Sequence, residues 1–215
     1  MESVVIKRIP IETDLKNLIS KKMFEDDSPI LLEYLNAMNI LNEKFQPMAI
    51  LKECSLESTA GNSVLIGGHV YKSKILSHLL KDQQRIFLYL LTMGEMPADL
   101  TQIETYFVNL LKLPAMASAM KNLKKMVQLE QNFVKVGMVN PGLIQDWPIK
   151  GNQTIFETFG NAPQEIGVEM TTSCLMRPLY SSSGILFEDI NHYCDCETCT
   201  IDACIGREAL FCHTA

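Results

Sequence analysis

Hydrophobic positions along the 215-residue chain change their period from segment to segment, and the period assigns the elements. Residues 4–9 (VVIKRI) are a short apolar run ended by Pro10 and read as a first strand. Thr13 or Asp14 can cap a short helix with Leu15, Leu18 and Ile19 as its apolar positions. Ser28-Pro29 opens a second helix, with proline at the first helical position, where a missing N–H costs nothing. Leu31, Leu35, Met38, Leu41 and Phe45 then recur at helical spacing, with Asn36, Asn39 and Asn42 on or near the opposite face. Pro47 ends that helix. Residues 49–56 and 64–71 read as two strands around the turn formers Ser58, Gly61 and Asn62. A helix from Ser73 or Lys74 follows, with Ile75, Leu79 and Leu80 on its apolar side. RIFLYLLTMG, at 85–94, is apolar without alternation. That implies burial on both faces and a central strand.

Pro97 and Asp99 start the largest helical region, expected as two helices meeting at Leu113-Pro114. Leu100, Ile103, Phe107 and Leu110 form the apolar face of the first; Met116, Met120, Leu123 and Val127 form that of the second. Lys121, Lys124 and Lys125 read as a solvated face or as a docking patch for an acidic partner. A short strand over 133–139 breaks at Asn140-Pro141-Gly142, a turn because proline fixes φ and glycine permits φ > 0. Beyond it come an extended segment at 143–148 with the chain's one tryptophan and a short helix at 153–159. A strand is expected from Gly167 to just before Pro178, and then Ser181, Ser182, Ser183 and Gly184 lead into the apolar run 185–187. So much turn-forming backbone suggests a surface shaped to receive something.

Composition narrows the classes. A hydrophobic fraction of 47% with 20% charged residues is that of a folded chain. The length suits one domain, expected over 1–190, with 191–215 as a cysteine-rich appendage. A net charge of −6 argues against a nucleic-acid binder. No apolar run reaches bilayer length and the first residues carry no signal-peptide core, so no membrane role and a cytoplasmic location are expected. Cys54 and Cys174 lie in apolar strand-like runs and read as core thiols. The chemistry sits at the other end. Cys194, Cys196, Cys199 and Cys204 follow a C-x-C-x2-C-x4-C spacing, a set that can close around an iron–sulfur cluster or a zinc ion. The same cysteines are compatible with a structural zinc knuckle or a reduced tail. His69 reads as a core or edge histidine, and no nucleophile–histidine–acid set or phosphate loop is present.

Three segments in order, RIFLYLLTMG, NPGLIQDWP with QTIFETF, and IGVEMTTSCLMRPLYSSSGI, resemble the activation domain of vitamin B12-dependent methionine synthase, in its stand-alone bacterial form. The resemblance covers most of 60–207. It implies an α+β fold with a bent antiparallel sheet flanked by helices. It also implies a role in reductive activation of a cobalamin-dependent methyltransferase, with S-adenosylmethionine as methyl donor and the cobalamin held by a partner protein. The implied partners are a corrinoid-binding methyltransferase or methionine synthase subunit, and a flavodoxin- or ferredoxin-type electron donor. On this chain the cofactor-side positions fall on Asn140, Pro141, Gly142, Asp146, Trp147, Arg177 and Ser183. Read from the residues alone, Asp146 also suits a turn-capping carboxylate, Trp147 a packing anchor and Arg177 an ordinary exposed cation. The family's R-x-x-P-G-Y-P pattern places its arginine on Met138 and its tyrosine on Leu143, and Ile185 and Leu186 stand where its SGWY aromatics would be. Two other functions fit the same residues. One is a non-catalytic docking module with a structural zinc, the other an S-adenosylmethionine-binding sensor.

Overall fold

The computed structural model describes residues 4–6, 8–11, 29–190 and 193–194. The helix expected around Leu15, Leu18 and Ile19 lies outside them. Among the described residues the strands are β1 (Val4–Ile6), β2 (Met48–Ala60), β3 (Ser63–Ile66), β4 (His69–Lys72), β5 (Arg85–Thr92), β6 (Val136–Val139), β7 (Glu169–Met170), β8 (Met176–Arg177) and β9 (Ser181–Glu188). The helices are α1 (Pro29–Lys44), α2 (Lys74–Leu80), α3 (Gln102–Gln131) and α4 (Gly151–Phe159). Seven strands make one sheet in the order β4-β3-β2-β5-β9-β6, with β1 on β2, and each of its pairings is antiparallel. The fold is α+β, with helices on both faces of this sheet.

The continuous apolar run of β5 explains the layering. Flanked by β2 and β9, it sends Phe87, Tyr89 and Leu91 into a core with α1 and α3, where Leu41, Leu111, Ala115, Leu123 and Val127 meet them. Ile86, Leu88 and Leu90 point the other way, into a core built with Leu76, Leu80, Ile155, Phe159 and Trp147. Alternate residues of one strand serve two cores, so from Ile86 to Leu91 every position is aliphatic or aromatic and buried. β2 pairs with β5 over 48–55 and with β3 over 56–60, and a register shift between Leu56 and Ser58 bends it.

Several expectations need correction. Residues 64–71 are two strands, because Gly67 and Gly68 both take positive φ (54° and 79°), the backbone of a tight hairpin turn. The two helices expected around Pro114 are one, α3. Leu111, Ala115, Ala119, Leu123 and Val127 are buried at intervals of four, and that burial outweighs the roughly 3 kcal/mol a mid-helix proline costs. In its second half the expected face is the buried one, through Met116, Leu123 and Val127, and in its first half Phe107 packs on the core whereas Ile103 and Leu110 are exposed. In α1 the core face is Ala37, Met38, Ile40 and Leu41, and Leu35 points outward. The segment 143–148 is not extended; it folds back so that Gly142 N–H donates to the Trp147 carbonyl at 2.7 Å. The strand expected from Gly167 to just before Pro178 is instead the β7–β8 hairpin, entered from a 3-10 turn (Ala162–Ile166). Cys174 is half-buried in that hairpin's turn at φ 63°, not a core thiol, whereas Cys54 is buried on β2. Finally, Ser181, Ser182 and Ser183 begin β9 and pair with β5.

Candidate functional site

The 140–142 turn is formed where β6 ends, and its proline and glycine set its shape. Asn140 and Pro141 are buried, whereas Gly142 is exposed at φ 85°. Turns are ordinarily polar and solvated, so a buried asparagine needs partners. Its amide nitrogen donates to the Tyr89 hydroxyl, to Ser182 Oγ at 3.0 Å and to the Ser183 carbonyl at 2.7 Å. Tyr89 Oη lies 3.1 Å from Ser182 Oγ. Gly184 makes this approach possible, since a Cβ there would strike the Val139 carbonyl and crowd the Tyr89 ring and the Asn140 amide.

The serines serve both faces of the sheet. Ser182 points toward the α3 side with Tyr89; its neighbour Ser183 points toward α4 and donates to Asn152 Oδ1 at 2.6 Å. Asn152 Nδ2 in turn donates to the Cys174 carbonyl at 3.0 Å, tying α4 to the β7–β8 hairpin. Ser181 Oγ donates to Thr92 Oγ1 at 2.9 Å and to the Pro178 carbonyl at 2.7 Å. A chain of side-chain hydrogen bonds therefore holds the turn, the start of β9, the first turn of α4 and the hairpin in one arrangement.

Asp146 and Trp147 are committed to that arrangement. The Asp146 carboxylate accepts from Ser73 Oγ at 2.7 Å and from the backbone N–H groups of Lys74 and Ile75, the first residues of α2. It caps that helix from across the fold, while Ser73 Oγ accepts from Leu76 N–H at 2.9 Å. Trp147 is 2% exposed, its indole lies against Gly151, and its ring meets Tyr71 edge-on at 6.3 Å. The Tyr71 hydroxyl, 2.7 Å from Thr158 Oγ1, is pushed to a raised pKa chiefly by burial. Arg177 is exposed on β8, joined to Pro178 by a cis peptide bond. The positions singled out thus fall into two groups. Asn140, Pro141, Asp146, Trp147 and Ser183 build the surface, and Gly142 and Arg177 are exposed on it. Met138, at the pattern's arginine position, is 2% exposed in β6, and Leu143 is half-buried.

Tyr89 and Asn152 went unrecognised in the sequence, and Ser182 stood out only as one of the three serines at 181–183. Asn152 offered one signal, as an asparagine in the first turn of an otherwise apolar-faced helix. Tyr89 offered none, since in RIFLYLLTMG it reads as one more core aromatic. Lys112 was missed as well. It is 4% exposed on the core side of α3, its ammonium 4.8 Å from the ring centres of both Phe45 and Tyr180. Burial pushes its pKa down, opposed by Glu95 nearby.

Of the cysteine set only Cys194 is among the described residues; Cys196, Cys199 and Cys204 lie outside them. Among the described residues no group of three or more His, Cys, Asp or Glu is placed to hold a metal. The approach to Cys194 is firmly built. Asp189, buried at the end of β9, accepts from Tyr193 N–H at 2.7 Å and lies 2.8 Å from the Lys135 ammonium, which donates to the Tyr193 carbonyl at 3.0 Å. That clamp is about 20 Å along the strand from Ser183.

The described residues form an α+β domain whose antiparallel sheet is flanked by helices and carries a polar, hydrogen-bonded turn at one edge. No family model and no curated protein matches the chain. Among solved structures it is similar to the MetH reactivation domain, in a crystal structure bound to AdoHcy, with a TM-score of 0.51 and 16% identity over 79% of this chain and 70% of that one. At that identity the likeness is one of fold. No helix among the described residues is long and apolar enough to cross a membrane.

Proposed function

We propose that this chain is an accessory protein for the reductive reactivation of a cobalamin- or corrinoid-dependent methyltransferase, docking its 140–142 edge against the corrinoid-bearing part of a separate protein. The observation that carries this reading is the fold shared with the MetH reactivation domain. That structure holds AdoHcy, the product S-adenosylmethionine leaves after giving up its methyl group, which makes S-adenosylmethionine the candidate methyl donor here. The chain's own contribution is positional. The hydrogen-bonded set of Asn140, Tyr89, Ser182 and Ser183 keeps the Gly142 backbone exposed in one conformation, so that a ligand or corrin edge meets a preformed surface. Arg177 offers an exposed cation to a carboxylate on the ligand or the partner.

Cys194, Cys196, Cys199 and Cys204 supply four thiolates, a donor set suited to an iron–sulfur cluster or zinc. Such a centre would supply a one-electron relay or a structural crosslink. The Asp189–Lys135–Tyr193 clamp fits either role, because it fixes where the first of these sulfurs leaves the sheet. With iron–sulfur, the electron comes from a flavodoxin- or ferredoxin-type donor. With zinc, the chain is a docking module. The apolar Met138 and Leu143 at the pattern's arginine and tyrosine positions favour that second reading.

The deciding experiment mixes the anaerobically purified chain with a cob(II)alamin-loaded corrinoid protein, a reductant and S-adenosylmethionine, and follows the cobalt spectrum. Return to methylcobalamin only when the chain is present is the expected outcome. A formed complex with an unchanged spectrum rejects reactivation. Metal analysis of the same sample separates iron from zinc, and titration calorimetry with S-adenosylmethionine separates a donor-binding protein from a docking module.

A further inference from the structure

A surface helix lying on a core is expected to be polar on the side away from it. α3 is not. Its buried side runs through Leu111, Ala115, Ala119 and Leu123, yet on the opposite side Ile103, Tyr106, Leu110 and Leu113 are 57%, 61%, 43% and 60% exposed. Their spacing of three, four and three is the seam by which one helix receives another. α1, packed beside α3, adds Leu32 and Leu35 at 65% and 42% exposure. At roughly 200 Å² for a fully exposed large side chain, these six present on the order of 650 Å² of apolar surface. That is above the roughly 300–600 Å² of the largest patch on a typical monomer and close to the about 800 Å² per partner of a stable interface.

We infer that this face is the interface of a two-fold dimer in which α3 pairs antiparallel with α3 of a second copy. The stripe is self-complementary in that orientation. An axis passing near Val108 sets Ile103 against the partner's Leu113 and Tyr106 against the partner's Leu110, and each contact occurs twice. The charges agree. The approach to α3 and its first turn carry Glu95, Asp99 and Glu104, its later half carries Lys121, Lys124 and Lys125, and no acidic residue stands between Glu104 and Glu130. Reversing the second helix brings Lys121, which is exposed, toward the partner's Glu95, also exposed; a parallel pair would set like charges together. The interface lies on the α1–α3 side of the sheet, and the exposed Gly142 and Arg177 are not part of it, so the dimer stands whether or not the reactivation role does.

Size-exclusion chromatography with light scattering on the full chain between about 5 and 100 μM tests this. The wild type is expected at twice the chain mass. Leu110→Lys combined with Leu113→Lys is expected at the single mass with unchanged far-ultraviolet circular dichroism. Lys121→Glu weakens the dimer several-fold, and adding Glu95→Lys restores it. A wild type of single mass at every concentration overturns the proposal, whatever else covers the stripe. So does a double-lysine variant still at twice the mass. Should that variant fail to fold, the exposed pair Lys121→Glu and Glu95→Lys carries the test, and loss without rescue overturns the antiparallel pairing.

Discussion

The two faces of the central sheet are both buried, but by different means. On one, α1 and α3 lie over Phe87, Tyr89 and Leu91, and helix spacing and side-chain volume account for most of the contacts. On the other, α2, α4 and the irregular 140–151 segment lie over Ile86, Leu88 and Leu90, and there side-chain hydrogen bonds recur: Ser183 to Asn152, Tyr71 with Thr158, Asp146 to the start of α2. Apolar contact is non-directional, so the α1–α3 face tolerates sliding and repacking. Hydrogen bonds are directional and costly to leave unmade, so the α2–α4 face has one arrangement. A surface that must be preformed for a ligand or partner is better built on hydrogen bonds, and the 140–142 turn draws them from both sides of the sheet, from Tyr89 and Ser182 toward α3 and through Ser183 and Asn152 toward α4.

Large-to-small truncations on the two faces test this contrast most severely. Trp147→Ala and Leu123→Ala should each cost about 3–5 kcal/mol in denaturant unfolding. Only Trp147→Ala should also release local hydrogen-exchange protection across 140–151, because the indole fills the space over Gly151 that no neighbour can occupy. Equal local release in both variants would remove the distinction. Next in size, Asn152→Ala and Ser183→Ala should each cost about 1–3 kcal/mol by leaving a buried partner unsatisfied. The double variant should cost clearly less than the two singles together, and simple additivity would show that the pair is not coupled. Asp146→Ala should cost about 0.5–2 kcal/mol, seen as earlier exchange of the first α2 amides and not as global unfolding.

The smallest effect belongs to the other face. Lys112 has a pKa lowered by burial, so in the alkaline range below the ordinary lysine value of about 10.4 the unfolded chain binds more protons than the folded one. Its contribution to stability should therefore rise with pH through that window and be lost as pH falls through the lowered folded value. Lys112→Met should flatten that rise and change stability at neutral pH by no more than about 1 kcal/mol, since the ammonium's stacking on Phe45 and Tyr180 offsets part of its desolvation. A pH profile identical to the wild type would exclude Lys112 as the source.

Legibility followed the same division. RIFLYLLTMG was readable as the central strand because continuous burial leaves a local mark, and the Pro-Gly turn was readable because both residues restrict the backbone by themselves. A helix start at Ser73 or Lys74 was readable. That Asp146 completes the cap from 73 residues away was not, since no local pattern records a long-range partner. The serines could be seen as a polar cluster. Their division between Tyr89 on one face and Asn152 on the other follows only from pairing β9 with β5.

By itself the sequence determined the central strand, the turn at 140–142 and the cysteine spacing, because each rests on a residue's own stereochemistry or on a short period, while the α+β class came from the resemblance of three ordered segments. The tertiary structure decided that Pro114 sits inside one unbroken helix, that Ile103 and Leu110 in its first half face outward, and that Asp146, Trp147 and Ser183 hold the turn in shape. Those outcomes depend on which distant groups share a low-dielectric interior, and there an unmet donor or an unfilled volume costs more than any local propensity supplies.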